Sequence, residues 1–449
     1  MHQLLTQFNQ GTLKRFWRII CRLRRFFCTF APEMTKYNTK TLENGLRIIH
    51  LPSASQVVWC GYEIAAGARD EQPGEEGLAH FCEHMTFKGT ERRSALQVIN
   101  ALESVGGELN AFTNKEDTVF YAAVTKEHFT KAINLLTDIV FHSQYPQQEI
   151  DKEVEVICDE IESYNDSPAE LIYDEFENLL FKGHPLGHNI LGKAELLRTF
   201  TTADALRVTR RHYRPDNAVF FVYGDVDFKR LCKLLEKLTV YSLRFTGDLL
   251  ASQSSNHPIV YSSVNCKPLT VNKKLGTHQA HVMIGTQAYR YDDPRRMTLC
   301  LLNNIIGGPG MNARLNLSLR ERHGLVYTVE SLMAGYSDTG VWNVYFGCDH
   351  HDVNRCLRLV RRELDRMMLR PLSATQLSTA KQQLKGQIAI ACDNREQFAL
   401  DFGRSYLHHG HERDLDMLFS KIDAVTAEDI QQVAGELFPA DHLTTLIIK

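Results

Sequence analysis

Apolar residues follow two kinds of pattern along this chain of 449 residues. Short runs rich in β-branched and aromatic residues predict strands. These runs lie at residues 46–50, 57–65, 119–124, 281–284 and 341–347. Longer segments with a period near 3.6 residues, such as 125–140, predict amphipathic helices. The mixture predicts an α+β fold in which each half of the chain forms an α/β sandwich, one sheet covered by helices.

Similar segments recur 224 positions apart, which indicates an internal repeat. Thr-Ala-Asp at residues 202–204 returns as Thr-Ala-Glu at residues 426–428, and Pro215 returns as Pro439. An apolar run follows the proline in both copies. We therefore expect two homologous halves, each as long as an ordinary domain.

A polar segment between the copies predicts the domain boundaries. Residues 246–269 are rich in Ser and Asn and have no packing period, so we expect a linker there. Residues 34–245 then form an N-terminal domain and residues 270–449 a C-terminal domain. Two concave halves would face each other around a chamber that admits unfolded peptides and excludes folded proteins.

A short helix is predicted near residue 80, because apolar side chains repeat there at i, i+3, i+4 and i+7. The repeating residues are Leu78, Phe81, Cys82 and Met85. Gly89 follows the last turn, as is typical of the end of a helix. One face of this helix should therefore be buried.

His80, Glu83 and His84 form an H-x-x-E-H motif beside that apolar stripe. Residues four apart lie on one helix face, so both imidazoles can bind a single metal ion. Zinc-dependent peptide hydrolysis needs histidines to hold the metal, an open position for water and a carboxylate to take the water's proton. Glu83 suits the last role. The alternative is that both histidines are partly buried residues with ordinary hydrogen bonds.

A third ligand is expected on an acidic helix that opens at Pro146. Its buried face is predicted at Ile150, Val154, Ile157 and Ile161. Glu153 and Glu160 are seven residues apart, so the two carboxylates point the same way. The alternative is that these acids belong to a solvated face.

At these positions the sequence resembles the pitrilysin/insulinase family of zinc metallopeptidases, the inverzincins. The likeness is strongest to the mitochondrial processing peptidase β subunit and its bacterial relatives, and it extends from about Tyr37 onward. It implies one Zn²⁺ per chain, with Glu160 as third ligand and Glu153 in support. It also implies that Asn110 and Ala111 lie in a strand that pairs with the substrate backbone.

The second copy has no H-x-x-E-H motif, so it must contribute something else. A predicted helix at 313–322 and a predicted strand at 325–329 bring Arg320 and Tyr327 to either side of a turn. The family resemblance implies that this pair reaches the zinc site and helps to bind substrate and the developing oxyanion. Without the resemblance, Arg320 would cap a helix end and Tyr327 would belong to the core.

Two function classes follow from these residues. The first is a zinc metalloendopeptidase that hydrolyses unfolded peptides or presequence-like segments, with Glu83 as general base. The second is a non-catalytic binding or scaffold subunit of a processing-peptidase-like complex. The intact motif favours the peptidase, and the resemblance to short bacterial relatives predicts a homodimer.

Composition indicates which partners and which compartment to expect for this protein. The formal net charge of -3 gives no indication of a nucleic-acid partner. The chain has 11 Cys without close pairs, which is typical of reduced thiols in a reducing, cytoplasmic compartment. No apolar run is long enough to predict a transmembrane span.

Residues 1–33 differ from the rest, because basic and apolar residues alternate there. Arg15, Arg18, Arg22 and Arg25 would line one face of a basic amphipathic helix. Two interpretations stay open. The segment is a targeting sequence, which would give a mitochondrial matrix location, or it precedes the true start at Met34.

Overall fold

The computed structural model describes residues 37–239 and 269–449. The predicted N-terminal extension and nearly all of the predicted linker lie outside these residues. Helices and strands alternate in both described parts, and each part contains one sheet. The predicted α+β class and its two sheet-containing halves are therefore confirmed.

The first sheet has six strands in the order β1-β2-β6-β3-β5-β4. Their bounds are β1 Asn38–Thr41, β2 Arg47–Pro52, β3 Val57–Ile64, β4 Glu108–Thr113, β5 Thr118–Thr125 and β6 Ala218–Gly224. β2 and β6 are parallel, and the other neighbours are antiparallel. This order leaves β4 at one edge of the sheet.

The second sheet has five strands in the order β7-β11-β8-β10-β9. Their bounds are β7 Thr270–Lys273, β8 Ala280–Ala288, β9 Val326–Gly335, β10 Gly340–Cys348 and β11 Thr444–Ile448. The order matches that of the first sheet without β1, and β7 and β11 are again the parallel pair. The internal repeat of the sequence is thus a repeat of topology.

Helices follow the strands in both halves. Those of the first half are α1 Leu78–Thr86, α2 Ala95–Glu103, α3 Phe129–His142, α4 Gln147–Asn165, α5 Pro168–Leu180, α6 Ala194–Leu197, α7 Thr202–His212 and α8 Phe228–Thr239. Those of the second half are α9 Arg296–Gly307, α10 Val353–Leu369, α11 Ala374–Cys392, α12 Arg395–His409, α13 Leu415–Ala424 and α14 Ala427–Leu437. Among the described residues, none of these helices is long and apolar enough to cross a membrane.

Each sheet packs against helices of its own half on one face. In the first half, Tyr62 of β3 lies in a core with Ile133 and Leu136 of α3. In the second half, Trp342 of β10 lies in a core with Val360 of α10. Each core stabilises its own half, since each buried aromatic or aliphatic side chain contributes roughly 1.5–3 kcal/mol.

The other face of each sheet is covered by a helix from the opposite half. α5 packs on β8 and β11 of the second sheet, where Phe176 joins a cluster with Met283. α12 packs on β3 and β6 of the first sheet, where Phe402 joins a cluster with Phe221. The two halves therefore exchange one helix each, an arrangement that the sequence patterns do not predict.

Candidate functional site

Helix α1 carries the H-x-x-E-H motif on one side and packs through the other. Its apolar stripe, Leu78, Phe81, Cys82 and Met85, is fully buried. This stripe lies in one cluster with residues of α4 and α7, including Ile157 and Val208. The predicted buried face of α1 is confirmed, and burying it turns the motif residues toward the opposite side.

The start of α1 depends on Gly77, which precedes its first residue. The φ angle of Gly77 is 96°, in the left-handed region that favours glycine. A Cβ at this position would lie 2.8 Å from Gly192 Cα and 2.9 Å from Leu191 O. The orientation of the motif helix is therefore fixed by a position that only glycine fits.

The side chains of His80 and His84 on α1 converge with that of Glu160 on α4. Glu160 Oε1 lies 3.9 Å from His80 Nε2, and Glu160 Oε2 lies 3.5 Å from His84 Nε2. All three donor atoms lie within 4.8 Å of one another. Tetrahedral zinc with bonds near 2.1 Å separates its ligand atoms by about 3.4 Å, so this set of two nitrogens and one oxygen fits Zn²⁺.

His80 is held in the form that binds metals. His80 is buried, with 8% of its surface exposed to solvent. Burial lowers the pKa of His80 to about 3, and the neighbouring His84 acts in the same direction. The imidazole is therefore neutral at neutral pH, which leaves a ring nitrogen free to act as a ligand.

His84 is oriented by Glu153, one of the two acids predicted on α4. His84 Nδ1 donates to Glu153 Oε1 at 3.1 Å, which turns Nε2 toward Glu160. Lys88 Nζ lies 2.5 Å from the other oxygen of Glu153. Burial raises the pKa of Glu153, but the contacts with His84 and Lys88 outweigh it and lower the pKa overall. A carboxylate behind a histidine is a common support for a metal ligand.

Glu83 faces a different environment from Glu160. It is buried, with 7% exposed, whereas the side chain of Glu160 is 44% exposed. Burial raises the pKa of Glu83, although a hydrogen bond from Thr113 and the charge of His84 oppose this effect. Thr113 Oγ1 donates to Glu83 Oε2 at 2.7 Å. A carboxyl with a raised pKa is suited to accepting and returning a proton.

Asn110 and Ala111 lie on β4, the edge strand of the first sheet. Asn110 is exposed and Ala111 is half-buried. β4 also contacts α1, so the strand runs beside the motif helix. On its outer side, β4 pairs with no other strand of the described residues. An edge of this kind offers backbone groups to an extended peptide.

Arg320 and Tyr327 lie together in the second half. Arg320 Cζ is 5.5 Å from the centre of the Tyr327 ring. Tyr327 is 81% exposed, so the alternative that it belongs to the core is wrong. The helix predicted around Arg320 is mainly a π-helical segment, Asn316–Glu321. π-helical turns occur frequently at functional sites.

Two family models match consecutive segments of the chain. The model described as Insulinase (Peptidase family M16) matches residues 48–194, and the model described as Peptidase M16 inactive domain matches residues 199–384. An uncharacterized zinc protease of Rickettsia bellii is 32% identical over 413 residues, which cover 92% of this chain and 97% of that protein. The chain belongs to the insulinase family, peptidase family M16.

Further relatives agree with this M16 assignment. The uncharacterized zinc protease YmxG of Bacillus subtilis is 31% identical over 91% of this chain and 97% of its own length. A crystal structure of a protease from Helicobacter pylori matches with a TM-score of 0.85 at 21% identity, covering 93% of this chain and 100% of that one. A structure described as a peptidase M16 inactive domain from Pseudomonas fluorescens has a TM-score of 0.82 at 18% identity, covering 92% of this chain and 97% of that one. At these identities the two structures support the fold alone.

The two M16 models divide the candidate residues between them. The insulinase model spans His80, Glu83, His84 and Glu160, together with β4. The inactive-domain model spans Arg320 and Tyr327. The candidate metal ligands of this M16 chain therefore all come from its first half.

Two contacts of the M16 site were missed by sequence reasoning. Lys88 follows His84 by four residues, so on a helical path the two side chains lie close together. Because His84 was expected near Glu153, this spacing could have indicated the contact between Lys88 and Glu153. Thr113 is 30 residues from Glu83 and lies on a different element. A single threonine in an edge strand carries no local signal of such a contact, so only the tertiary structure reveals it.

Proposed function

We propose that this chain is a zinc-dependent metalloendopeptidase that hydrolyses peptide bonds in unfolded peptides or presequence-like segments. The observation that carries the proposal is the convergence of His80, His84 and Glu160, with distances of 3.5 and 3.9 Å from the two imidazoles to Glu160. The relatives described as zinc proteases support the same metal and the same class of reaction.

The residues at and near the motif divide three roles in this proposal: metal binding, support of a ligand and proton transfer. His80, His84 and Glu160 would hold the metal, and Glu153 keeps the His84 ring in its binding orientation. Bound zinc supplies Lewis acidity, which polarises a peptide carbonyl and makes water more acidic. Glu83 accepts the proton of the attacking water and returns it to the leaving nitrogen, which its raised pKa favours.

The substrate would bind as an added strand along β4. Asn110 and Ala111 lie on this edge, and β4 contacts the helix that carries Glu83. An extended peptide satisfies the edge through backbone hydrogen bonds, which favour unfolded segments over folded proteins. Side-chain preferences would be set by the surfaces on either side of the strand.

The second half would complete the site through Arg320 and Tyr327. Both side chains are exposed and neighbour each other, so the guanidinium and the phenol are available to a ligand. Donors of this kind stabilise the negative charge that develops on a peptide carbonyl. The proposed division gives metal ligands to the first half and oxyanion donors to the second.

Metal analysis of purified protein tests the assignment of the ligands. We expect one zinc per chain, and we expect His84→Ala to lose it together with peptide hydrolysis. His351→Ala is a matched control, because Asp349, His351 and Asp352 form the other group of potential ligands among the described residues. Zinc that survives His84→Ala but disappears with His351→Ala would refute the site.

Peptide digestion distinguishes the enzyme from a binding subunit. We expect a mixture of unstructured peptides to be cleaved and 1,10-phenanthroline to abolish cleavage. Zinc binding without any cleavage would favour the non-catalytic alternative. The homodimer is a separate proposal, and light scattering coupled to size-exclusion chromatography measures it directly.

A further inference from the structure

We propose that Thr113 is a positioning residue that holds the Glu83 carboxylate in the orientation needed for proton transfer. Its hydroxyl donates to Glu83 Oε2 at 2.7 Å, a short bond to a buried carboxylate. The inference rests on the proposed peptidase function, since it assigns Glu83 the role of general base.

A glutamate needs such a partner because its side chain has three rotatable bonds. Left free, the carboxylate would sample several orientations, only some of which face a substrate. The bond from Thr113 occupies Oε2 and leaves Oε1 to accept the proton. Holding a reacting group in place is worth a large factor in rate, and a displacement of about 1 Å can reduce the rate about a hundredfold.

Thr113 is itself held by the first sheet. It is the last residue of β4 and pairs with Thr118, the first residue of β5. β5 lies inside the sheet, between β3 and β4, and Thr118 Oγ1 donates to the backbone oxygen of Ala66 at 2.8 Å. The hydroxyl of Thr113 therefore projects from a fixed strand end rather than from a loop.

The same strand carries Asn110 and Ala111, three and two residues before Thr113. A peptide that pairs with β4 therefore meets the strand that orients the general base. Thr113 links the substrate-binding edge to Glu83 through one short covalent segment and one hydrogen bond. This link predicts that loss of the hydroxyl affects turnover more than substrate binding.

The test compares four variants in the full chain: Thr113→Val, Thr113→Ser, Thr125→Val and Glu83→Gln. Thr113→Val keeps the volume of the side chain but removes the hydroxyl. We expect kcat to fall at least about tenfold, with KM, zinc content and Tm nearly unchanged. Thr113→Ser should restore kcat to near that of the wild type. Thr125→Val is the control: it removes an exposed hydroxyl at the other end of β5, seven residues from Thr118, and it should leave kcat per folded molecule unchanged.

A double variant shows whether Thr113 acts through Glu83. If it does, adding Thr113→Val to Glu83→Gln should lower kcat no further. A crystal structure of Thr113→Val adds a measurement that does not depend on turnover, and we expect the Glu83 carboxylate to adopt more than one orientation.

Three outcomes have distinct meanings. If the wild type shows no zinc-dependent hydrolysis, the proposed function is refuted and the positioning role falls with it. If the wild type is active and Thr113→Val has the same kcat, the positioning role is overturned. A loss of Tm with kcat per folded molecule preserved would also overturn it, because that pattern belongs to a purely structural hydroxyl.

Discussion

Glu83 and Glu160 are chemically identical carboxylates in different surroundings, and this difference separates their proposed roles. Glu160 is half-exposed and faces two imidazoles, whereas Glu83 is buried and accepts a bond from Thr113. Glu83→Gln should therefore keep zinc and fold but lower kcat by about 10² to 10⁴-fold, the usual effect of losing a general base. Zinc content by mass spectrometry and kcat on one peptide measure both quantities. Loss of zinc with normal turnover per remaining metal would contradict the division.

Glu63 predicts a pH dependence that is independent of the metal site. It lies on β3 with 1% exposed, and neither carboxylate oxygen has a hydrogen-bond partner among the described residues. Burial raises its pKa well above the usual value, and Asp117 acts in the same direction, while Arg404 opposes them. The folded state therefore retains a proton that the unfolded state releases. The stability associated with this proton is present below the unfolded pKa and is lost as the pH rises through the folded pKa.

Replacing Glu63 with Gln should consequently stabilise the protein at pH 8 by on the order of 1 kcal/mol or more. The gain should become small near pH 4, since most of the glutamate is then protonated in both states. Urea unfolding at the two pH values measures the difference. Glu103→Gln, an exposed substitution on α2, is the control and should show no such gain. Equal effects of Glu63→Gln at both pH values would refute the argument.

At the scale of elements, the site depends on where α1 begins. Gly77→Ala introduces a Cβ within 2.8 Å of the backbone at Gly192, so the helix start must shift. We expect this variant to lose about 1–3 kcal/mol of stability and part of its zinc affinity together. Gly74→Ala is a matched control, because φ at Gly74 is also positive, 89°, but the space around it is open. Zinc titration and thermal unfolding of both variants test the prediction, and equal losses would show that backbone strain alone is responsible.

Elements with strong local periods were predictable from the sequence, and α1 and α4 are the clearest cases. The signals for both lie within the segment itself: the apolar stripe of each helix, and Pro146 at the start of α4. The strand predicted at 325–329 extends instead from Val326 to Gly335 as β9. Its second part includes Glu330, whose side chain bonds to Tyr173 of α5. Pairing with β10 sets its length, and the pattern of residues within the predicted segment does not show that pairing.

For the molecule as a whole, the exchange of α5 and α12 predicts that the halves unfold together. Phe176 of α5 covers the second sheet and Phe402 of α12 covers the first, and both are fully buried. Phe176→Ala and Phe402→Ala should each lower the stability of one shared transition by about 3–5 kcal/mol. Leu369→Ala, at a side chain that is 75% exposed, should change it little. Two separate transitions in calorimetry, each sensitive to one variant, would contradict this coupling.

The pairing of the halves itself was beyond sequence reasoning. The repeat of segments such as 202–204 and 426–428 indicates two copies and their order along the chain. It carries no information on which apolar helix face meets which sheet, since Phe176 and Met283 are more than 100 positions apart. The candidate ligands could be predicted because a motif and a family resemblance indicated them. The contact of Thr113 and the exchange of helices could be identified only from the three-dimensional structure.

The helix exchange bears on how such a chain could arise by gene duplication. A chain with only one copy of the repeat would have a helix that covers no sheet of its own. It would also have a sheet with one face left uncovered. Two such chains would cover each other's open sheet faces, as the two halves do here. The second half therefore contributes to the fold of the first through α12, although it has no H-x-x-E-H motif of its own.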